Sequence, residues 1–160
     1  MAQYSAEVIW ERGDAVFIDN RYPRRHRWRF DGGLEVPGSS SPQSVPVPLS
    51  DPSAVDPEEA LIAALSSCHM LWFLAIAVKR KFRVDRYRDQ AGGILAKNAD
   101  GKWCISIVTL QPEVQFSGEP LPTREQIEAM HHSAHAECYI ANSVTAQVHV
   151  EPVWPSPASA

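Results

Sequence analysis

Apolar and polar residues alternate in the opening stretch YSAEVIW and again in HRWRF, His26–Phe30, so both predict strands that offer one face to a core. Residues 32–55, GGLEVPGSSSPQSVPVPLSDPSAV, are dense in Pro, Ser and Gly with no sustained period, and predict a long loop. Asp56 then reads as a helix N-cap, with Pro57 at the first helical position and Glu59 three residues on, a capping-box start. From Ala60 to Val78 the side chains are apolar on all sides, which predicts a helix at the buried centre of the fold. Further strands are expected around Tyr87–Ala96 and Trp103–Val114, joined by KNADGK, whose Asp100-Gly101 pair signals a hairpin. A second helix starts at Thr123, with Gln126 completing a capping box, and runs to about Cys138. A last strand spans roughly Ser143–Val150, and the tail EPVWPSPASA is expected to be disordered. The order predicts one α+β domain over residues 1–150, with antiparallel sheet packed on two helices and no internal repeat.

Composition narrows the function without choosing it. The 160 residues include 44% hydrophobic and 21% charged side chains with a net charge of −4, which argues against a dedicated nucleic-acid binder. The N-terminus has no basic stretch followed by an apolar one, so no signal peptide is expected, and three unpaired-looking cysteines fit a cytoplasmic setting. Ala60–Val78 approaches the about 20 apolar residues that cross a bilayer. Ser66, Ser67, Cys68 and His69 put a polar band at its midpoint, which favours a core helix over a membrane span.

That polar band holds the candidate chemistry. Cys68 could be a small buried hydrophobe; Cys138, near the end of the other helix, could meet it if the helices face each other. Carbonyl dipoles at a helix C-terminus disfavour a thiolate, so of the two Cys68 is the candidate nucleophile, and it would need a nearby cation. In NRYPRRHRWRF strand alternation sends Arg25, Arg27 and Arg29 to solvent and Arg24 inward, making Arg24 the candidate. Glu58, in the first helical turn, is explained by the helix dipole alone. It lies ten residues from Cys68, roughly 15 Å along the helix. It could orient an arginine, or approach the thiol of a second subunit if this helix packs antiparallel on its copy. A rival reading is zinc, since His131, His135 and Cys138 share a helical face and Cys68 and His69 could complete a site. Neither a Cys-x-x-Cys pair nor His-Glu-x-x-His is present, and no Gly-x-Ser-x-Gly elbow supports a serine hydrolase. Cys104 reads as strand filler.

The segments DPEEALIAALSSCHMLWFLA, Asp56–Ala75, and AHAECYIANSV, Ala134–Val144, resemble the OsmC/Ohr family of thiol-dependent peroxidases. YPRRH with FDGG resembles the Tyr-x-Arg-x-His region of the OsmC-like branch. The resemblance implies two central helices wrapped by sheet in an intertwined homodimer. It implies Cys68 as the peroxidatic cysteine, Cys138 as the resolving one, Glu58 as the glutamate preceding the first, and Arg24, or else Arg12, as the active-site arginine. An organic hydroperoxide would be the substrate, with Leu71, Trp72 and Phe73 as apolar neighbours, and a dithiol, such as a lipoyl group, the reductant. No cofactor, metal, nucleic acid or membrane is implied. A zinc-binding or non-catalytic stress-response domain is the alternative on the same scaffold. Tyr139, where a proline commonly follows the second cysteine, and His69 after the first depart from the Ohr pattern and bear on substrate preference.

Overall fold

The computed structural model describes residues 1–154. The chain divides into two compact units, Met1–Ala60 and Leu61–Ala160.

In the first unit, β1 (Ala6–Ile9), β2 (His26–Phe30) and β3 (Glu35–Gly38) form an antiparallel sheet in that order. Alternation in β2 is as expected at His26 and Trp28, which are half-buried, and at Arg25, Arg27 and Arg29, which are exposed; Phe30, expected on the apolar face, is exposed at the strand end. β3 lies inside the stretch expected to be loop. Its Pro37 hides the strand in the sequence, and is tolerated because β3 is an edge. The following Pro/Ser-rich segment is pinned at its base. Ser39 N donates to Val55 O at 3.0 Å, Val55 N to Pro37 O at 3.0 Å, and Asp51 N to the buried Ser39 hydroxyl at 3.0 Å.

Helix α1 (Pro57–Lys79) begins where predicted. Glu59 N donates to Asp56 Oδ1 at 2.8 Å, and Asp56 N to Glu59 Oε2 at 3.3 Å, closing the capping box. By length and composition α1 could cross a membrane, yet it packs Leu65, His69, Phe73 and Ala77 into the protein core. The expectation of burial on all sides is corrected here. Only this i, i+4 stripe is fully buried, with Ile62, Trp72 and Ile76 half-buried beside it, while Leu71 and Val78 on another face are 63% and 73% exposed. The helix stops in a Schellman motif: Phe82 N reaches Ala77 O and Lys81 N reaches Val78 O, both at 3.0 Å. Lys81 sits at the left-handed position, φ 62°.

The two long strands expected after α1 are each broken in two. β4 (Arg83–Asp89) pairs antiparallel with β7 (Pro112–Ser117), whereas β5 (Gly92–Lys97) and β6 (Trp103–Leu110) form the predicted hairpin in a separate sheet. Asp89 explains the breaks: it accepts from Gln111 N at 2.6 Å and from the Ser66 hydroxyl, satisfying a backbone donor where the chain changes sheets. At the hairpin, Gly101 takes φ 75° and Asn98 Oδ1 accepts from the backbone of Asp100 and Lys102. Helix α2 (Arg124–Glu137) has the predicted Thr123–Gln126 capping box and ends on Cys138 as C-cap. A 3-10 turn, Ala141–Ser143, precedes β8, which is shorter than expected at Gln147–Val150 and pairs parallel with β6. Among the described residues the other strand pairs are antiparallel, an isolated parallel bridge between Gly38 and Val55 apart, and the class is α+β as predicted. Of the tail, residues 151–154 run alongside β6 and β7, with Glu151 N bonded to Leu110 O and Val153 N to Pro112 O. Residues 155–160, where the expectation of a disordered tail also falls, lie outside the described residues.

Two apolar clusters organise the second unit. Phe73, Ala77, Phe82, Val114, Met130 and Ala134 join α1 and α2 to the β4–β7 sheet. Leu65, Val108 and Leu110 join α1 to the β5–β6–β8 sheet.

Candidate active site

The crossing of α1 and α2 brings Cys68 and Cys138 together. Cys68 is half-buried, next to the core stripe of α1, and Cys138 is fully buried at the end of α2. Both are free thiols, and Cys68 is a neighbour that acts on the Cys138 thiol. Burial, and then the neighbouring Cys68, push the Cys138 thiol above its ordinary pKa, although the Ala141 N–H donates to its sulfur at 3.4 Å. Cys138 is therefore held as the protonated partner of the pair. Tyr139, the next residue, packs edge-on against Trp72, one turn beyond Cys68, with ring centroids 5.5 Å apart. Of the expected apolar neighbours, Trp72 makes this contact, Leu71 is exposed, and Phe73 turns into the core. Cys104 is a third free thiol, paired across the β5–β6 hairpin with Ala96.

The histidines do not assemble as a metal centre. Among the described residues, no group of three or more His, Cys, Asp or Glu is placed to hold a metal. His69 and His131, both buried, instead bond each other through Nε2 and Nδ1 at 3.0 Å. Burial lowers their pKa values to about 4 and about 3, with His135 adding to the effect on His69 and His69 to that on His131. Both imidazoles are therefore neutral at ordinary pH.

Arg24 and Glu58 belong to the first unit. Glu58 is half-buried in the first turn of α1. Arg24 is half-buried and its guanidinium is taken up locally. Nη1 donates to the Asn20 and Tyr22 carbonyls, Nη2 donates to Asn20 Oδ1 at 2.7 Å, and the group stacks 3.8 Å from the Tyr22 ring centroid. Tyr22 is in turn stacked on Phe17 and edge-on to Trp10. Behind Arg24, Trp28 Nε1 donates to His26 Nε2 at 2.8 Å, which leaves His26 Nδ1–H to donate to Arg24 O at 2.8 Å. Each residue of Tyr22-x-Arg24-x-His26 thus has a mechanical role. Gly38 is part of the same assembly: a Cβ there would meet His26 Nε2 at 2.5 Å. Arg12, the other candidate, is exposed and donates to Ala15 O at 2.6 Å. Sequence reasoning missed the Trp28–His26 buttress, although both lie on the same strand face as Arg24, and it missed the His69–His131 bond, which no spacing announces.

The sequence model of the OsmC-like protein family matches residues 50–153. The chain belongs to this family. An OsmC-like protein of unknown function from Vibrio cholerae is 53% identical over 96% of this chain and 100% of its own, with a TM-score of 0.94. Two structures share the OsmC-like fold at low identity. An organic hydroperoxide resistance protein from Elizabethkingia anophelis is 16% identical with a TM-score of 0.70, covering 98% of both chains. The organic hydroperoxide resistance protein OhrB of Bacillus subtilis is 20% identical with a TM-score of 0.65, covering 96% of this chain and 100% of its own. Among curated protein sequences, none matches the chain.

Proposed function

We propose that this OsmC-like protein is a two-cysteine peroxidase that reduces organic hydroperoxides. The observation that carries the reading is the neighbourhood of two free thiols, one on α1 and one capping α2, with burial raising the pKa of the inner one. Structural likeness to two organic hydroperoxide resistance proteins supports it. In the first step the Cys68 thiolate attacks one peroxide oxygen and the O–O bond breaks. The departing alkoxide takes a proton to become the alcohol, and Cys68 is left as a sulfenic acid. Cys138 then attacks the Cys68 sulfur. The S–O bond breaks, the hydroxide leaves as water with the Cys138 proton, and a disulfide remains. A dithiol, such as a lipoyl group, reopens that bond by thiol–disulfide exchange and is itself oxidised. Arg24, half-buried and oriented by Asn20 and Tyr22, is the cation assigned to Cys68, and Glu58 a carboxylate assigned to the same site. Trp72 and Tyr139 supply the apolar contact that favours an organic peroxide over hydrogen peroxide. The exposed apolar face of α1, with Leu71 and Val78, is assigned to a second copy of the chain, and a cytoplasmic, reducing setting keeps the thiols available.

Anaerobic protein treated with one equivalent of tert-butyl hydroperoxide should lose two thiols and gain a Cys68–Cys138 disulfide, with Cys104 still free. Cys68→Ser should abolish peroxide consumption. Cys138→Ser should stop at a sulfenic acid. Three unreacted thiols in folded protein would overturn the reading, and equal rates with hydrogen peroxide would remove the preference for organic substrates.

A further inference from the structure

The core stripe of α1 reads Leu65, His69, Phe73, Ala77, and the position nearest its middle on the α2 side is an imidazole where an aliphatic side chain would be expected. Facing it from α2 is a second imidazole, His131, 2% exposed. The Nε2–Nδ1 bond of 3.0 Å is their mutual contact, and the rings lie within 7° of parallel. Phe73 stacks on His131 with centroids 4.2 Å apart, and Tyr87 from β4 flanks it. The outward nitrogens, His69 Nδ1 and His131 Nε2, are buried without a partner among the described residues. Burying polar atoms in this way is costly, and two leucines would pack the gap without that cost. What the imidazoles supply is direction. One N–H donating to one bare nitrogen fixes both the axial register and the rotation of α1 against α2, as an apolar contact does not.

The register so fixed is that of the thiols. His69 directly follows Cys68, and Cys138 lies seven residues beyond His131, close to two turns along the same face of α2. We propose that the His69–His131 hydrogen bond is a register pin that holds Cys138 within attacking reach of the oxidised Cys68 sulfur. His69 and His131 are thereby positioning residues for disulfide closure. This rests on the peroxidase reading for its physiological meaning, though not for its test.

Closure can be entered by two routes. With tert-butyl hydroperoxide the intermediate is the Cys68 sulfenic acid, which dimedone traps. With glutathione disulfide it is a Cys68–glutathione mixed disulfide, from which Cys138 expels glutathione as the thiol. His131→Phe should form the sulfenic acid at the wild-type rate but close at least about tenfold more slowly by both routes, because a small misplacement of reacting atoms costs that much or more. The dimedone-trapped fraction should rise accordingly. His131→Asn, whose amide falls where Nδ1 sits, should restore closure. His131→Gln, with its amide one carbon further out, should not. The Asn and Gln pair preserves polarity and so supplies the comparison even where the phenylalanine variant does not fold. Closure in the folded Phe or Gln variant within about twofold of wild type, well under the cost of misplacement, would overturn the pin. A wild type inert to hydroperoxide that still shows the glutathione difference would overturn the peroxidase reading and leave the pin standing.

Discussion

Arg24 shows how a single side chain is held in one orientation. Its guanidinium is held on two carbonyls, one amide oxygen and one aromatic face. The fork and the stack require a planar group, which lysine lacks. Arg24→Lys should therefore slow the reaction of Cys68 with hydroperoxide by at least about tenfold while keeping the charge. Arg12→Lys, at an exposed position, should leave the rate unchanged; the opposite pattern would transfer the role to Arg12. The two buried histidines make a prediction of a different kind. Their folded pKa values, about 4 and about 3, lie below the ordinary 6.5. The unfolded chain then binds more protons in that interval, so the stabilisation is complete above pH 6.5 and is lost as pH falls towards the folded values. The titratable groups facing the pair are His135 on α2 and Tyr87 on β4. Neither is a carboxylate that could compensate an added proton. Urea midpoints at pH 7.5 and 4.5 should differ by the equivalent of about 5 kcal/mol, about half from each histidine. In His131→Phe the difference should shrink, and an unchanged pH dependence would remove the histidines as its cause. The half-buried positions of Cys68 and Arg24 are legible in the sequence because helix position and strand parity are local properties. The histidine bond is not, because residues 69 and 131 are joined only by the crossing of two elements.

Helix ends obey the same distinction. Asp56–Glu59 and Thr123–Gln126 stand out in the sequence because a capping box is completed within four residues. The left-handed Lys81 is also a local feature, but without a glycine to mark it the Schellman motif has no sequence signal. Lys81→Gly should relieve the strain of that backbone and raise stability by about 0.5–1 kcal/mol, read as a shift in urea midpoint. A loss of stability would mean that the lysine side chain does more than occupy the site. Strand continuity was misread for a tertiary reason. The runs around Tyr87–Ala96 and Trp103–Val114 look unbroken by residue type, but Asp89 accepts the Gln111 amide and so ends one pairing before the next begins. The parallel partner of β6 was equally out of reach, since β8 arrives through α2 and a 3-10 turn. β3 was hidden by Pro37, whose missing N–H is harmless only on an edge strand.

For the whole molecule, apolarity all round α1 pointed to complete burial, whereas the single chain fully buries one stripe. If a second copy covers the rest, mass action links folding to association. The thermal midpoint should then rise with protein concentration, and Leu71→Glu should abolish the rise and leave a monomer in sedimentation. A midpoint independent of concentration, with a monomeric wild type, would assign that face to another partner. The complete burial of Cys138 has a consequence for how the protein would be probed. A maleimide in solution reaches Cys68 and Cys104 directly, but it can modify Cys138 only in the moments when the end of α2 lifts away from the rest of the unit. Late labelling at that sulfur is therefore a clock for local opening, carried by the protein at the point where its two helices meet.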